Sequence, residues 1–122
     1  MIAAADLNKD GVQQTLKTID GGNHHPFTVD VASSASVATL MSEVKDKYSA
    51  VPTIAVNSAG ITRDTYMLKM KEEMWDEVIN VNLKGTFLIN KAVSQAIVEN
   101  KLPGGSIVNV SSIIGKVGNL GQ

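Results

Sequence analysis

Four short apolar runs in this chain stop on polar groups. Ile2 to Ala5 ends at Asp6, Phe27 to Val31 is broken by Asp30, Thr53 to Val56 runs into Asn57-Ser58-Ala59-Gly60, and Ser106 to Val110 ends at Ser111-Ser112. Carboxylates in such places accept hydrogen bonds from hydroxyls and amines, while serine and asparagine can also donate them. One polar residue at the end of a strand is ordinary turn chemistry, and Asp30 alone would read that way. Four in succession favour a ligand crevice, because open α/β sheets bind ligands outside the carboxyl ends of their strands.

The elements that must carry these residues follow from periodicity. Short apolar runs alternate with helix-period segments, the pattern of βα units around a parallel sheet. A helix is predicted from Lys9 to Ile19, with Asn8 as its N-cap and Val12, Leu16 and Ile19 on one face. Ser33 or Ser34 caps the next, along which Val37, Leu40, Met41, Val44 and Tyr48 form an apolar stripe. A long helical stretch is predicted from Lys71 to Val98. Between Leu83 and Val98 its apolar residues occupy more than half the circumference, whereas one sheet face needs a stripe of only ~100°. The surplus predicts a subunit interface. The order is β-α-β-α-β-α-β, and residues 1–122 read as one unit of the doubly wound parallel α/β class, which the resemblance given below implies to be a partial dinucleotide-binding domain.

Composition narrows the classes. Eleven Lys+Arg against twelve Asp+Glu give a formal net charge of −1, which argues against a surface built to neutralise phosphates. The absence of cysteine excludes a disulfide scaffold, thiolate catalysis and cysteine-ligated zinc. No apolar run approaches the ~20 residues needed to span a bilayer.

Asp6 supports two readings. In a dinucleotide fold, an acid at the end of the second strand accepts hydrogen bonds from the adenosine ribose and repels a 2′-phosphate, favouring NAD over NADP. Alternatively it caps the helix that begins near Lys9. The glycine-rich phosphate loop G-x-G-x-x-G, which lies about 20 residues before such an acid, is not found here. Gly21-Gly22 and Gly104-Gly105 do not replace it, since neither pair follows a strand and opens a helix. Other groups have plain readings. His24-His25 lie in a Gly-Asn-rich stretch without a third metal ligand nearby and read as a solvated loop. Glu72, Glu73, Asp76 and Glu77 read as a solvated helix face. Trp75 is expected to pack on the sheet. Met67, Met70 and Met74 form either core packing or an apolar cover near the site.

Three ordered motifs carry a resemblance: Asn57-Ser58-Ala59-Gly60, Val81-Asn82-Leu83-Lys84-Gly85, and Ile107-Val108-Asn109-Val110-Ser111-Ser112. Together they resemble the short-chain dehydrogenase/reductase family, in its 3-oxoacyl-acyl-carrier-protein reductase branch. Asn80 to Leu88 and Ser111 to Asn119 carry a closer similarity to 17-beta-hydroxysteroid dehydrogenases. The resemblance covers essentially the whole chain but only part of a family domain. It implies strands 2 to 5 of a Rossmann-type sheet, with strand 1 and the C-terminal part missing, and an oxidoreductase interconverting hydroxyl and ketone on a 3-oxoacyl thioester or a steroid.

By that resemblance, Asp6 and Leu7 lie on the ribose side of an NAD cofactor, Asp30 and Val31 contact adenine, and Asn57, Ala59 and Gly60 support the sheet and the cofactor ribose. Ser58 stands where the family has a second asparagine. Asn82 matches the asparagine that holds a water in the proton relay, and Ser112 the catalytic serine that donates to the substrate carbonyl. The family's Tyr-x-x-x-Lys acid would fall beyond Gln122; Tyr48, on a core stripe, and Tyr66, in a loop, do not replace it. The chain alone is therefore expected to be inactive. The resemblance further implies a homo- or hetero-tetramer, no nucleic-acid partner, and a soluble enzyme of the mitochondrial matrix or otherwise the cytoplasm. The rival expectation is a non-catalytic truncated product, an interaction piece at most, whose strand edges leave it partly unfolded or aggregating when alone.

Overall fold

The computed structural model describes residues 1–122. Its elements run β1 (Ile2–Asp6), α1 (Lys9–Leu16), β2 (His24–Thr28), α2 (Ser34–Tyr48), β3 (Ile54–Asn57), α3 (Glu72–Val78), a π-helical turn (Ile79–Gly85), α4 (Thr86–Glu99), β4 (Ser106–Asn109) and α5 (Ile114–Val117). Alternating strands and helices force parallel pairing. β1 pairs with β2 from Ile2–His24 to Asp6–Thr28, and β3 with β4 from Ile54–Ser106 to Asn57–Asn109, both in parallel. The two pairs do not hydrogen-bond to each other, so the four strands form two separate two-stranded sheets. The α/β class and the incomplete strand set both match the reading of the sequence.

Val37, Leu40 and Val44, spaced at three and four along α2, bury one face against Phe27 and Val29. Leu88, Ile89 and Ala92 of α4 pack on the same cluster. Ser33 caps α2 by accepting from Ser36 N at 3.3 Å, and Ser49 ends the helix in the left-handed region at φ 51°. Close approach matters at Gly85, where an added Cβ would stand 2.7 Å from Val31 Cγ2, and at Gly105, where it would stand 2.6 Å from the Thr53 carbonyl oxygen. Any side chain at either position would force the helix or strand apart.

Several boundaries differ from those predicted. Helix α1 stops at Leu16 rather than Ile19, because Thr18 N and Ile19 N bond three residues back, to Thr15 O and Leu16 O, and tighten the final turn out of the α pattern. Strand β2 begins at His24, not Phe27, so His24 and His25 are not loop residues. They pair with Ile2 and Ala3, and Pro26 is tolerated because a two-stranded sheet asks little of its missing N–H. Trp75 does not pack on the sheet. It is 59% exposed: α3 packs chiefly on the π turn that follows it, and its other tie is the Arg63–Glu77 ion pair at 2.6 Å. Met67 is 89% exposed, which removes it from any core.

The molecule is open. Its accessible surface is 8568 Å², where a compact monomer of 12.9 kDa would show about 6,300 Å². Only 8 of 122 residues are buried. No helix is long and apolar enough to cross a membrane.

Candidate functional site at the strand ends

Each strand delivers its polar group where its ladder stops. Asp6 is the last residue of β1 and exposed, and its Oδ1 accepts from Asn8 N at 2.9 Å. The cap of α1 is Asn8 instead, whose Oδ1 accepts from Gly11 N at 3.0 Å. Asp6 therefore spends one oxygen on the turn and presents the other outward. Leu7, beside it, is 68% exposed and leaves the backbone accessible.

Asp30, two residues past β2, is organised similarly. Its Oδ1 accepts from Ala32 N at 2.9 Å, while its own amide donates to Ser36 Oγ at 2.9 Å. These two bonds fix the loop that carries Val31, and the second carboxylate oxygen accepts no hydrogen bond within the chain. Val31 in turn is held against Gly85 at the close approach of the π turn to this loop.

Asn57, at the end of β3, is half-buried and ties three elements together. Its Nδ2 donates to Asn90 Oδ1 on α4 at 2.6 Å and to Asn109 Oδ1 on β4 at 2.8 Å. It is a brace, and it fixes where Ser58, Ala59 and Gly60 leave the sheet. Neither Asn90 nor Asn109 was picked out by sequence reasoning. A signal existed at Asn90: one carboxamide amid the apolar face of Leu88, Ile89, Ala92 and Val93 needs a partner when half-buried.

Asn82 lies in the π turn, and its carboxamide clasps the backbone of Ile61 from both sides. Oδ1 accepts from Ile61 N at 2.8 Å and Nδ2 donates to Ile61 O at 2.9 Å. The clasp mimics a strand pair, and it sits where the helix departs from α geometry, as functional π turns often do. Ser112, three residues past Asn109, is exposed; its Oγ accepts from Ile114 N at 3.2 Å, leaving the hydroxyl hydrogen free to donate. Helix α5, absent from the sequence reading, begins just beyond it and orients this turn.

Asp6, Val31, Asn57 and Ala59 all line one cavity of about 220 Å³, together with Ser58. Leu7, Asp30, Gly60, Asn82 and Ser112 do not line it. Tyr48 is a tether: its hydroxyl donates to Ile2 O at 2.9 Å. Burial raises its pKa above the ordinary 10.0, opposed in part by a backbone hydrogen bond at His25. No cluster of three His, Cys, Asp or Glu side chains is placed to hold a metal ion.

Comparison with known proteins adds two findings. The family described as short chain dehydrogenase matches residues 1–122. The chain is 44% identical to (3R)-3-hydroxyacyl-CoA dehydrogenase of Homo sapiens and 46% identical to that of Mus musculus, in each case over 99% of its length. It is 39% identical to the 3-oxoacyl-[acyl-carrier-protein] reductase FabG of Thermotoga maritima, again over 99% of its length. It spans about half of each relative: 49%, 50% and 49% respectively.

Proposed function

The chain belongs to the short-chain dehydrogenase family, and from that premise we propose that it supplies the cofactor-binding and serine-bearing half of an oxidoreductase acting on a 3-oxoacyl thioester. The observation that carries this reading is the ordered placement of Asp6, Asp30, Asn57 and Ser112 at the carboxyl ends of the four parallel strands.

The residues fit a nicotinamide cofactor. Asp6 keeps one carboxylate oxygen for two ribose hydroxyls, and that same charge disfavours a 2′-phosphate, so NAD is preferred over NADP. Leu7 offers its backbone beside that carboxylate. Asp30 and Val31 receive the adenine, Asp30 turning its free oxygen to the exocyclic amine. Ala59 and Gly60, exposed beyond β3, allow close approach on the ribose side. When bound, the cofactor supplies or takes up the hydride. Reduction of a carbonyl develops negative charge on its oxygen, and the Ser112 hydroxyl donates a hydrogen bond there. Asn82 acts by position: its grip on Ile61 fixes the loop that follows Gly60, and its remaining N–H can hold a water on the proton path. A 17-keto steroid is the alternative substrate for the same carbonyl chemistry.

The test is a chimera in which this chain replaces the matching half of the T. maritima reductase. Oxidation of NADH with acetoacetyl-CoA is the expected activity. Ser112→Ala should lower kcat by about 10²–10³-fold with little change in NADH affinity, the loss expected for one donor to a developing oxyanion. A chimera that binds NADH yet reduces neither thioester nor steroid ketones sinks the proposal.

A second reading has an observation in its favour. Leu83, Phe87 and Val98 are 66%, 58% and 75% exposed along one helical stretch. In that reading the chain is a non-catalytic piece that associates with other subunits through this surface. The same surface suits the tetramer proposed for a complete enzyme.

A further inference from the structure

Asp-Gly pairs stand at Asp10-Gly11 and at Asp20-Gly21, and the fold treats them oppositely. Glycine after an aspartate leaves the joining amide nitrogen unshielded, since it has no Cβ to crowd that nitrogen and restricts φ least. The nitrogen can then reach the aspartate carboxyl carbon and close a five-membered ring. We propose that Asp20 is a site of spontaneous covalent modification in the folded chain, where cyclisation onto Gly21 converts it to β-linked aspartate, and that the fold protects Asp10 from the same reaction. This chemistry is independent of the oxidoreductase reading.

Water is the one co-reactant. Gly21 N attacks Asp20 Cγ in its protonated carboxyl form: the N–Cγ bond forms, a Cγ–O bond breaks, and the amide hydrogen leaves with the hydroxyl as water. A second water opens the cyclic imide. Attack at Cγ regenerates aspartate. Attack at the Asp20 main-chain carbonyl carbon breaks its bond to Gly21 N, so the chain then runs through Cβ and Cγ and the α-carboxylate becomes the side group. Nothing is oxidised or reduced, and the main chain gains one carbon.

Ring closure needs an amide nitrogen without a partner, a carboxyl group without a partner, and an aspartate free to rotate about ψ. The Asp20 connection meets all three. Residues 20–23 lie between α1 and β2, and none of them enters a hydrogen bond or an ion pair within the chain. All four are exposed. Gly21 and Gly22 both take positive φ, at 69° and 85°, and nothing stands within 4 Å of a Cβ built at Gly21. Gly21 and Gly22 border an open depression of about 510 Å³ with Gln13 and Lys17, so water for the second step reaches the turn.

Asp10-Gly11 is held on both sides of its glycine. Gly11 N donates to Asn8 Oδ1 at 3.0 Å, and Gly11 O accepts from Thr15 Oγ1 at 3.1 Å. Both residues belong to the first turn of α1, so Asp10 is fixed in the helical well and cannot turn about ψ while the helix persists. The cap and the first turn must open before the ring can close, which makes Asp10 at least about tenfold slower than Asp20.

The test incubates residues 1–122 at neutral pH in water enriched in the heavy oxygen isotope, followed by chymotrypsin in ordinary water. Cleavage after Leu7, Leu16 and Phe27 puts the two aspartates on separate peptides, 8–16 and 17–27. Electron-transfer fragmentation distinguishes β-linked from ordinary aspartate, and heavy-isotope uptake reports each ring opening. β-linked aspartate should accumulate in peptide 17–27, and at least about tenfold more slowly in peptide 8–16. In concentrated urea the two rates should converge, because neither pair is then held. Asn8→Ala frees Gly11 N and should speed the Asp10 reaction by about fivefold without changing Asp20. Asp20→Glu, which would need a slower six-membered ring, should remove the signal from peptide 17–27. Equal rates at the two positions in native buffer would overturn the proposal, as would a peptide 17–27 that takes up no heavy isotope. An Asp10 rate indifferent to Asn8→Ala would refute the protection assigned to the cap.

Discussion

The contact between Gly85 and Val31 gives a prediction whose sign is decided by geometry. Gly85 is the last residue of the π turn and helical in φ and ψ (−59°, −47°), so propensity alone would make Gly85→Ala stabilising by about 0.8–1.0 kcal/mol. An added Cβ, however, would stand 2.7 Å from Val31 Cγ2, 3.0 Å from Val31 Cβ and 3.3 Å from the Val31 carbonyl carbon. Val31 is β-branched and stiff at χ1, so it cannot swing clear, and its backbone is held by the Asp30 turn. Overpacking of this kind costs about 1–3 kcal/mol. The net effect of Gly85→Ala is then a loss of about 1 kcal/mol. Val31→Ala removes the 2.7 Å contact but keeps the Val31 Cβ at 3.0 Å and the carbonyl carbon at 3.3 Å, so in that background Gly85→Ala should be close to neutral. The coupling between the two substitutions is therefore about 1 kcal/mol. Urea titration at about 15 °C, near the temperature of greatest stability, reads it as a shift of midpoint at constant slope. If Gly85→Ala stabilises equally in both backgrounds, the helix does not press on the Asp30–Val31 loop and the argument fails.

Four further expectations follow from particular bonds. Asn82→Ala should cost about 0.5–1.5 kcal/mol and deprotect the Ile61 amide, because both polar groups of Ile61 exchange their partners for water; unchanged hydrogen exchange at Ile61 would contradict the clasp. Asn57→Ala should destabilise more than Asn109→Ala, by about 1 kcal/mol, since Asn90 is half-buried and Asn109 is exposed to water that can replace the bond. Stability should fall as pH rises past 10.0, because burial holds the Tyr48 hydroxyl protonated in the folded chain after the unfolded one has ionised; Tyr48→Phe should flatten that part of the profile. Leu83→Glu with Phe87→Glu should leave the melting temperature nearly unchanged, both being more than half exposed, yet dissociate any oligomer seen by sedimentation velocity.

Periodic apolar residues made α2 readable in the sequence, since Val37, Leu40 and Val44 bury the face that their spacing marks. β2 was misplaced because Pro26 and two histidines look like loop, and only the pairing of His24 and His25 with Ile2 and Ala3 makes them a strand. The π turn could not be read at all. Within it Asn82 grips Ile61, a contact across 21 positions that no local pattern encodes. Trp75 failed for the reverse reason: a large aromatic predicts burial only where a neighbouring element comes near, and α3 packs chiefly on the π turn that continues it. The polar strand ends were legible by position, whereas the Asn57–Asn90–Asn109 brace needed the folded chain.

The open surface follows from the same strand arrangement. The chain is 43% hydrophobic, yet seven hydrophobic residues are buried, and the accessible area exceeds that of a compact monomer by about 2,300 Å². Weak apolar content is not the cause. The exposed set includes Ile54, Val56, Val108 and Val110 on one face of the β3–β4 pair, all at 48% or more. Those residues alternate as a buried strand pair should, and α4 covers only the other face, through Ala55, Asn57 and Ile107. A sheet split into two pairs has four edges instead of two, so each pair carries an unsatisfied row beside an apolar face. The Ile54–Val110 face is bare, and an apolar sheet face of this kind is ordinarily covered by a second layer. At about 25 cal/mol per Å², even 400 Å² of apolar surface covered there is worth roughly 10 kcal/mol, comparable to the whole stability of an ordinary domain. Covering this one sheet face would therefore weigh more in the stability of the chain than its small core does.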